Sequence, residues 1–562
     1  MNKLPQELVD RISNYLDYDS LKKTLFLSRC FQYAAEQYSG AFSKFDLTEE
    51  NADEFLKTYS GRRFRYLQDV KFATSVSSLE SDGKDDEESC RDTVEELKSI
   101  DQEFTRQIHF LFSTLKTLES DLDSANSSGK IHLLIFTPTR AIDYNHFCLH
   151  RAFVSWRVHL LAPSTLPTLS SVRYLTIETS DEYDFTVKGF ENYPDPALRK
   201  IDLRVLIDVS HRLTNLENLQ CKIGGDEWFS GQGAEAEDIE AANLIRKDWE
   251  GPRRDSRHDF AKAVQDAALP CLRHAQLDFI YPIDESDWID QRRSMPNLTQ
   301  PATYDPFSTS LRILSYQLRT MKLRVVADKT LFWPANSSTP SWPNLESVSV
   351  MFHMVTPAGT WYFEGLPGVG ASEGYEITEQ SYPPLETTET DESSDFYISD
   401  YYNWGEHRVV AQYRVRPNNE TLVPFLTAFA KGAALMPSLK EVTLWCPLEF
   451  STENTHLSNG YEDFDVSQVS KYQGELAWGV GYTKPSTRAF TDKPGEDFAP
   501  LRQLWWKVGK WRPDPELHNL FQKIGRSEHG EDLAEYWDDE WSGDGLVGRD
   551  EFEIFEGRIF GY

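Results

Sequence analysis

The feature that most constrains this 562-residue sequence is a short apolar spacing that returns along much of its length. An apolar residue is followed by two spacers, a second apolar residue, one spacer and a third. It occurs at Val172/Leu175/Ile177, Leu198/Ile201/Leu203, Leu216/Leu219/Cys221 and Leu272/Ala275/Leu277. It returns at Leu311/Leu314/Tyr316, Leu345/Val348/Val350, Leu439/Val442/Leu444 and Leu501/Leu504/Trp506. Proline stands one or two residues ahead of several of these, at Pro196, Pro270, Pro343, Pro437 and Pro500. The last two apolar positions alternate as those of a short half-buried strand do. A chain that repeats this unit must stack many strands whose buried side points one way.

Helical stretches precede several of these strands. Val94, Leu97, Ile100, Phe104, Ile108, Leu111, Leu115, Leu118 and Leu122 step by three and four, and strand-like residues Ile131 to Phe136 follow. A second helix is expected from Thr421 to Leu435, capped by Asn418 or Asn419, and a third from Asp259 to Leu269. In a fourth, Asp514 caps, Pro515 takes the first turn, Leu517, Leu520, Phe521 and Ile524 form one face, and Gly525 ends it. The Leu-x-x-Leu-x-Leu core resembles that of leucine-rich repeats, which implies a solenoid with one strand per repeat on its concave face. The motif spacing here varies several-fold, against ~20–29 residues in regular repeats. An unrelated α/β domain whose buried strands begin with Leu-x-x-Val is the alternative.

The segment from Leu4 to Tyr38 reads as three short helices. Pro5 fits a first turn, and Glu7 complements the helix dipole there. Leu8, Ile12 and Leu16 form one stripe. Asp19 offers a cap for a second helix carrying Leu21, Leu25 and Leu27, and a third runs through Phe31, Tyr33, Ala34 and Ala35. The order Leu-Pro-x-Glu-Leu-x-x-x-Ile-x-x-Tyr-Leu-x-x-x-Ser-Leu, then Leu-Ser-Arg-x-Phe, resembles the F-box motif over Leu4 to about Glu36. The resemblance implies docking to the Skp-type adaptor of a cullin-based ubiquitin ligase, with the rest of the chain selecting an unknown protein substrate. By position, Leu4, Pro5, Leu8, Ile12, Leu16, Leu21, Leu25, Ser28 and Phe31 match the family's adaptor-facing or core positions; Phe31 stands where the family usually has Trp. A helical cap on the following domain is the plainer alternative. The aromatic segments Trp478–Tyr482 and Leu504–Gly509 resemble those of leucine-rich-repeat-like F-box proteins of filamentous fungi.

The expected organisation is therefore α/β: a three-helix F-box over residues 1–42, then an irregular leucine-rich-repeat-like solenoid of helix–strand units over 43–562. Ser78 to Arg91 and Glu364 to Asp400 read as acidic loops too polar to fold by themselves. The net charge of −32 repels phosphate backbones and anionic headgroups, so neither nucleic acid nor a membrane surface is expected as partner. Six scattered cysteines without a C-x-x-C, an N-terminus without an apolar signal segment and no apolar run of spanning length point to a cytoplasmic or nuclear protein.

Signals for catalysis are isolated. Gly370-Ala371-Ser372-Glu373-Gly374 fits the spelling of a nucleophile elbow, but no helix follows the serine. In Gly368-x-Gly370 the third glycine of a dinucleotide fingerprint is misplaced and no helix follows. His146, Cys148 and His150 supply three zinc-type ligands without a fourth, and the Trp537–Trp541 run supplies carboxylates without a partner motif. No cofactor is expected. The favoured reading is a non-catalytic substrate receptor. A binding scaffold whose F-box acts outside a ligase comes second, and a hydrolase using Ser372 third.

Overall fold

The computed structural model describes residues 4–76, 93–120, 130–140, 156–179, 200–224, 249–281, 283, 289–383, 411–450, 475–488, 490, 500–537 and 546–560. Three short helices come first: α1 (Gln6–Ser13), α2 (Tyr18–Thr24) and α3 (Arg29–Tyr38). The α2 cap is Asp17, not Asp19: its extended backbone turns the carboxylate onto the Ser20 amide at 2.8 Å. Asp19 falls in the first turn instead, where its charge still suits the dipole. Ser28 caps α3 through the Phe31 amide. Val9, Phe31 and Ala34 form a small core of their own, with Cys30 and Tyr38 against it.

The rest is mixed α/β, built on one large, mostly parallel sheet that does not close into a barrel. Strands β1 (Lys44–Leu47), β2 (Asp69–Val76), β3 (Ile131–Arg140), β4 (Val172–Glu178), β5 (Asn218–Lys222), β6 (His274–Asp278), β7 (Thr320–Val325) and β8 (Ser347–Phe352) join in chain order, each parallel to the last. A separate ribbon of β9 (Phe363–Glu364) and β10 (Arg416–Pro417) follows. The sheet resumes with β11 (Glu441–Glu449), parallel to β8, and β12 (Glu475–Thr483), antiparallel to β11. It ends with β13 (Arg502–Lys507) and β14 (Leu533–Trp537), while β15 (Val547–Gly548) pairs with β12.

The recurring spacing accounts for this register. Its second apolar position makes one continuous row: Val70, Leu133, Leu175, Leu219, Ala275, Met321, Val348 and Val442 are mutual neighbours across eight strands. Its third makes a parallel row from Phe72 through Ile135, Ile177, Cys221, Leu277, Leu323 and Val350 to Leu444. Every member of both rows is buried. A strand has a side-chain period of two, so a slip of one residue would turn these rows to the other face.

The helices are α4 (Ala52–Tyr59), α5 (Val94–Ser120), α6 (Arg204–His211), α7 (Glu250–Asp266), α8 (Pro306–Ser315), α9 (Asn419–Ala433), α10 (Pro515–Gln522), α11 (Arg526–His529) and α12 (Asp550–Phe560). Asn418 caps α9 and Asp514 caps α10, as the sequence leads one to expect. Two expected strands do not appear among the described residues. Leu311 and Leu314 lie on α8, whose cap Asp305 accepts from the Phe307 and Ser308 amides, and the strand comes seven residues later at Leu318/Met321/Leu323. Ile201 makes only a single bridge to Val158 before the chain turns into α6, and Leu198 lies outside the described residues. The helix expected from Asp259 starts earlier, at Glu250, with Pro252 in its first turn, where its missing N–H breaks no bond.

The expected acidic loop at 364–400 is partly corrected. Residues 364–383 pack onto the body: the Tyr375 hydroxyl donates to Glu250 at 2.6 Å, Tyr382 donates to Asp255 at 2.7 Å, and Arg414 donates to the Ala371 carbonyl at 2.7 Å. The remainder to Asp400, and the loop from Ser78 to Arg91, lie outside the described residues.

Candidate protein-docking site

The first three helices carry a concentration of uncovered apolar surface. Among the described residues, sixteen large apolar side chains are exposed, and eight of them fall between Leu4 and Tyr33. Single exposed apolar residues are ordinary, whereas half of the described ones falling within thirty residues is a local excess. The group arises because α1 is apolar on two sides. Val9 and Ser13 face inward, while Leu8 and Ile12, one turn apart, stand 47% and 44% exposed on the outside, with Leu4 ahead of them. Beyond α1, Tyr15 is 81% exposed, and after α2 Phe26 is 92% exposed beside Leu27. A phenylalanine ring left in water forgoes about 1.5–3 kcal/mol of burial, so several such side chains together favour a covering partner.

The sequence-derived site residues divide into two groups. Leu4, Pro5, Leu8 and Ile12 are exposed and belong to the outer surface. Leu21 and Phe31 are buried, and Leu16, Leu25 and Ser28 are half-buried. Phe31 shapes the surface from beneath by packing α3 against Val9 of α1, and Leu21 is buried on α2. Tyr15, Tyr18, Phe26 and Leu27 were not singled out as docking residues in the sequence. The adjacent apolar run Leu25-Phe26-Leu27, too long for one side of a short helix, was the available signal.

This module is tied firmly to the body. The Glu36 carboxylate at the end of α3, only 4% exposed, is paired with both Arg62 and Arg63, the latter at 2.8 Å. The Arg62 guanidinium lies over the Tyr33 ring, and that of Arg63 over Phe42 at 4.3 Å. The Tyr66 hydroxyl donates to the Tyr33 carbonyl. A partner held on α1 and α2 would thus have a defined orientation to the sheet.

The sheet face opposite the buried rows offers a second surface. Thr176, Gln220, Gln276, Lys322, Ser349 and Thr443 form one row across it, and Glu178, Lys222, Asp278, Arg324, Met351 and Trp445 the next. Over β4 to β7 it opens into a cavity of about 230 Å³, lined by residues of both rows and by Phe560. Burial pushes the Asp278 carboxyl up to about 6, against the opposing pull of Arg324, 3.7 Å away. Beyond the cavity the face is covered by α12. Its Glu556 accepts from Ser349 at 2.6 Å and from the Trp445 indole at 2.9 Å, and pairs with Lys322 at 2.9 Å and Arg324 at 3.5 Å. Burial alone would raise this carboxyl; the two cations and two hydrogen bonds together hold it below the usual glutamate range.

The residues singled out for chemistry are not assembled. Ser372 is exposed in a loop, with neither a strand before it nor a helix after it. His146, Cys148, His150 and residues 538–541 lie outside the described residues, and Trp537 closes β14 with its ring stacked on Trp506 at 4.8 Å. Among the described residues no group of three or more His, Cys, Asp or Glu is placed to hold a metal ion. Among the described residues no cysteine forms a disulfide. No described helix is long and apolar enough to cross a membrane. No protein-family model matches this chain, and none of the curated proteins matches it.

Proposed function

We propose that this chain is the substrate-recognition subunit of a cullin-type ubiquitin ligase. In this reading residues 1–42 are an F-box that docks to a Skp-type adaptor through Leu4, Pro5, Leu8 and Ile12, joined by Tyr15 and Phe26. The sheet and its helices are an irregular leucine-rich-repeat-like solenoid whose polar face selects a protein substrate. It acts by proximity: a target held beside a charged ubiquitin carrier meets it at high effective concentration, with no bond chemistry on this chain. Its place of action is the cytoplasm or nucleus, where the adaptor and cullin are found.

The observation that carries the reading is the uncovered apolar group on α1 and α2, in the part of the chain whose residue order resembles the F-box. The tie through Glu36 supports it, because a receptor must present its substrate at a fixed distance from the adaptor. The experiment is co-purification with a Skp-type adaptor, comparing the full chain with residues 43–562. A stoichiometric complex that is lost on truncation supports the reading. A folded full chain that leaves the adaptor unbound turns residues 1–42 into a structural cap and the chain into a binding scaffold.

A further inference from the structure

A segment of the chain itself packs on the polar face of the sheet. The helix α12, Asp-Glu-Phe-Glu-Ile-Phe-Glu-Gly-Arg-Ile-Phe, lies across β7, β8, β11, β12 and β13, and each kind of contact it makes is specific. Phe552 stacks flat on Trp445, ring centroids 5.3 Å apart and planes within 7°. The room for that ring comes from Gly479, where a Cβ would stand 2.7 Å from it. Phe555 packs against Phe490 at 4.6 Å, and Gly481 makes room for Phe490 in the same way. Glu556 meets the cations and donors of β7, β8 and β11. Glu551 pairs with Lys507 at 2.6 Å and Glu553 with Arg324 at 3.5 Å.

The arrangement has the form of a ligand in its site. In a chain of net charge −32, Lys322 and Arg324 on β7 and Lys507 on β13, four strands away on the same face, meet three carboxylates of one helix. Ile554 on the outer side of α12 is exposed, so one side of the helix faces water while Phe552, Phe555 and Glu556 face the sheet. Past Phe560 the same face continues into the polar cavity over β4 to β7, lined by Gln220, Lys222 and Gln276.

We propose that α12 is a built-in occupant of the recognition face, and that the partner this face takes is an acidic amphipathic helix with aromatic residues at i and i+3 and a carboxylate at i+4, which displaces α12. This deepens the reading above and rests on it only in calling that partner the ligase substrate. A tethered occupant sets a threshold: it competes at an effective concentration on the order of millimolar, so a free segment displaces it only in excess of that concentration or by adding contacts in the cavity.

The test uses the full chain and an eleven-residue peptide with the α12 sequence. In the wild-type protein, excess peptide should raise hydrogen exchange at the amides of residues 550–560. A control peptide with alanine at the positions of Phe552, Phe555 and Glu556 should not. In Glu556→Ala, the labelled peptide should bind on the order of a hundredfold tighter than in wild type, because the tethered competitor is weakened. The proposal is overturned if millimolar peptide leaves α12 exchange unchanged, or if a folded Glu556→Ala protein binds the peptide no better than wild type. Should that variant fail to fold, the wild-type competition decides alone. Adaptor binding, measured in the same samples, speaks only to the receptor reading, so the two ideas fail separately.

Discussion

Replacing Phe26 by alanine separates docking from folding more cleanly than any other single change. The ring is 92% exposed, so its truncation removes few intramolecular contacts and should alter stability by no more than about 0.5 kcal/mol. If the ring is covered by an adaptor, almost the whole side chain is buried on binding, and about 1.5–3 kcal/mol is lost with it. At 1.4 kcal/mol per factor of ten, affinity should fall by about 10- to 150-fold. Leu8→Ala, about half of whose side chain is already covered, should lose about half as much free energy of binding and somewhat more stability. The assay is calorimetric titration of the full chain against a Skp-type adaptor, with thermal unfolding of each variant beside it. Unchanged affinity in Phe26→Ala would remove the ring from the interface. A drop in melting temperature of several degrees would mean that the ring is packed in the free protein, against the exposure on which the reasoning rests.

Further changes probe the parts that hold this surface in place. Phe31→Ala empties the small core of the three helices and should cost about 3–5 kcal/mol, read as early proteolysis or loss of helical signal from the N-terminal segment. Asp278, with its carboxyl pushed up to about 6 by burial, binds more protons folded than unfolded between about pH 4 and 6. Its contribution to stability is therefore greatest below that window and falls as pH rises through it, by about 3 kcal/mol at most. Asp278→Asn should flatten that part of the stability profile in denaturant titrations. At Gly370, with φ near +76°, an added Cβ would fall on the Tyr413 hydroxyl, so Gly370→Ala should lower the melting temperature and free residues 364–383 for proteolysis.

The register of the sheet was legible because it depends on local spacing. Leu175 and Ile177, or Val348 and Val350, state the buried side of their strands without reference to anything distant. The same spacing misleads at Leu311/Leu314/Tyr316, since two apolar residues three apart also sit on one side of a helix, and the Asp305-Pro306 cap decides for the helix. The outward side of α1 was partly legible, because Leu8 and Ile12 share a stripe. The exposure of Phe26 and Tyr15 depends on how three helices meet, which a spacing rule cannot state. The order of residues 364–383 comes from Glu250, Asp255 and Arg414, far away in the chain. The occupied face was least legible of all: Glu556 finds its partners 111 to 234 positions earlier, and nothing in Asp550–Phe560 taken alone names them.

In the proposed function the apolar side chains of the first two helices form an adaptor interface. Hydroxyl-radical footprinting of the full chain, with and without a purified Skp-type adaptor, reads those side chains directly. Docking through these helices should strongly protect Tyr15, Tyr18 and Phe26 in the complex and leave the exposed aromatic residues elsewhere in the sheet domain unchanged. A complex in which those three rings stay as reactive as in the free protein, or in which the protected residues lie on the sheet domain, would contradict it.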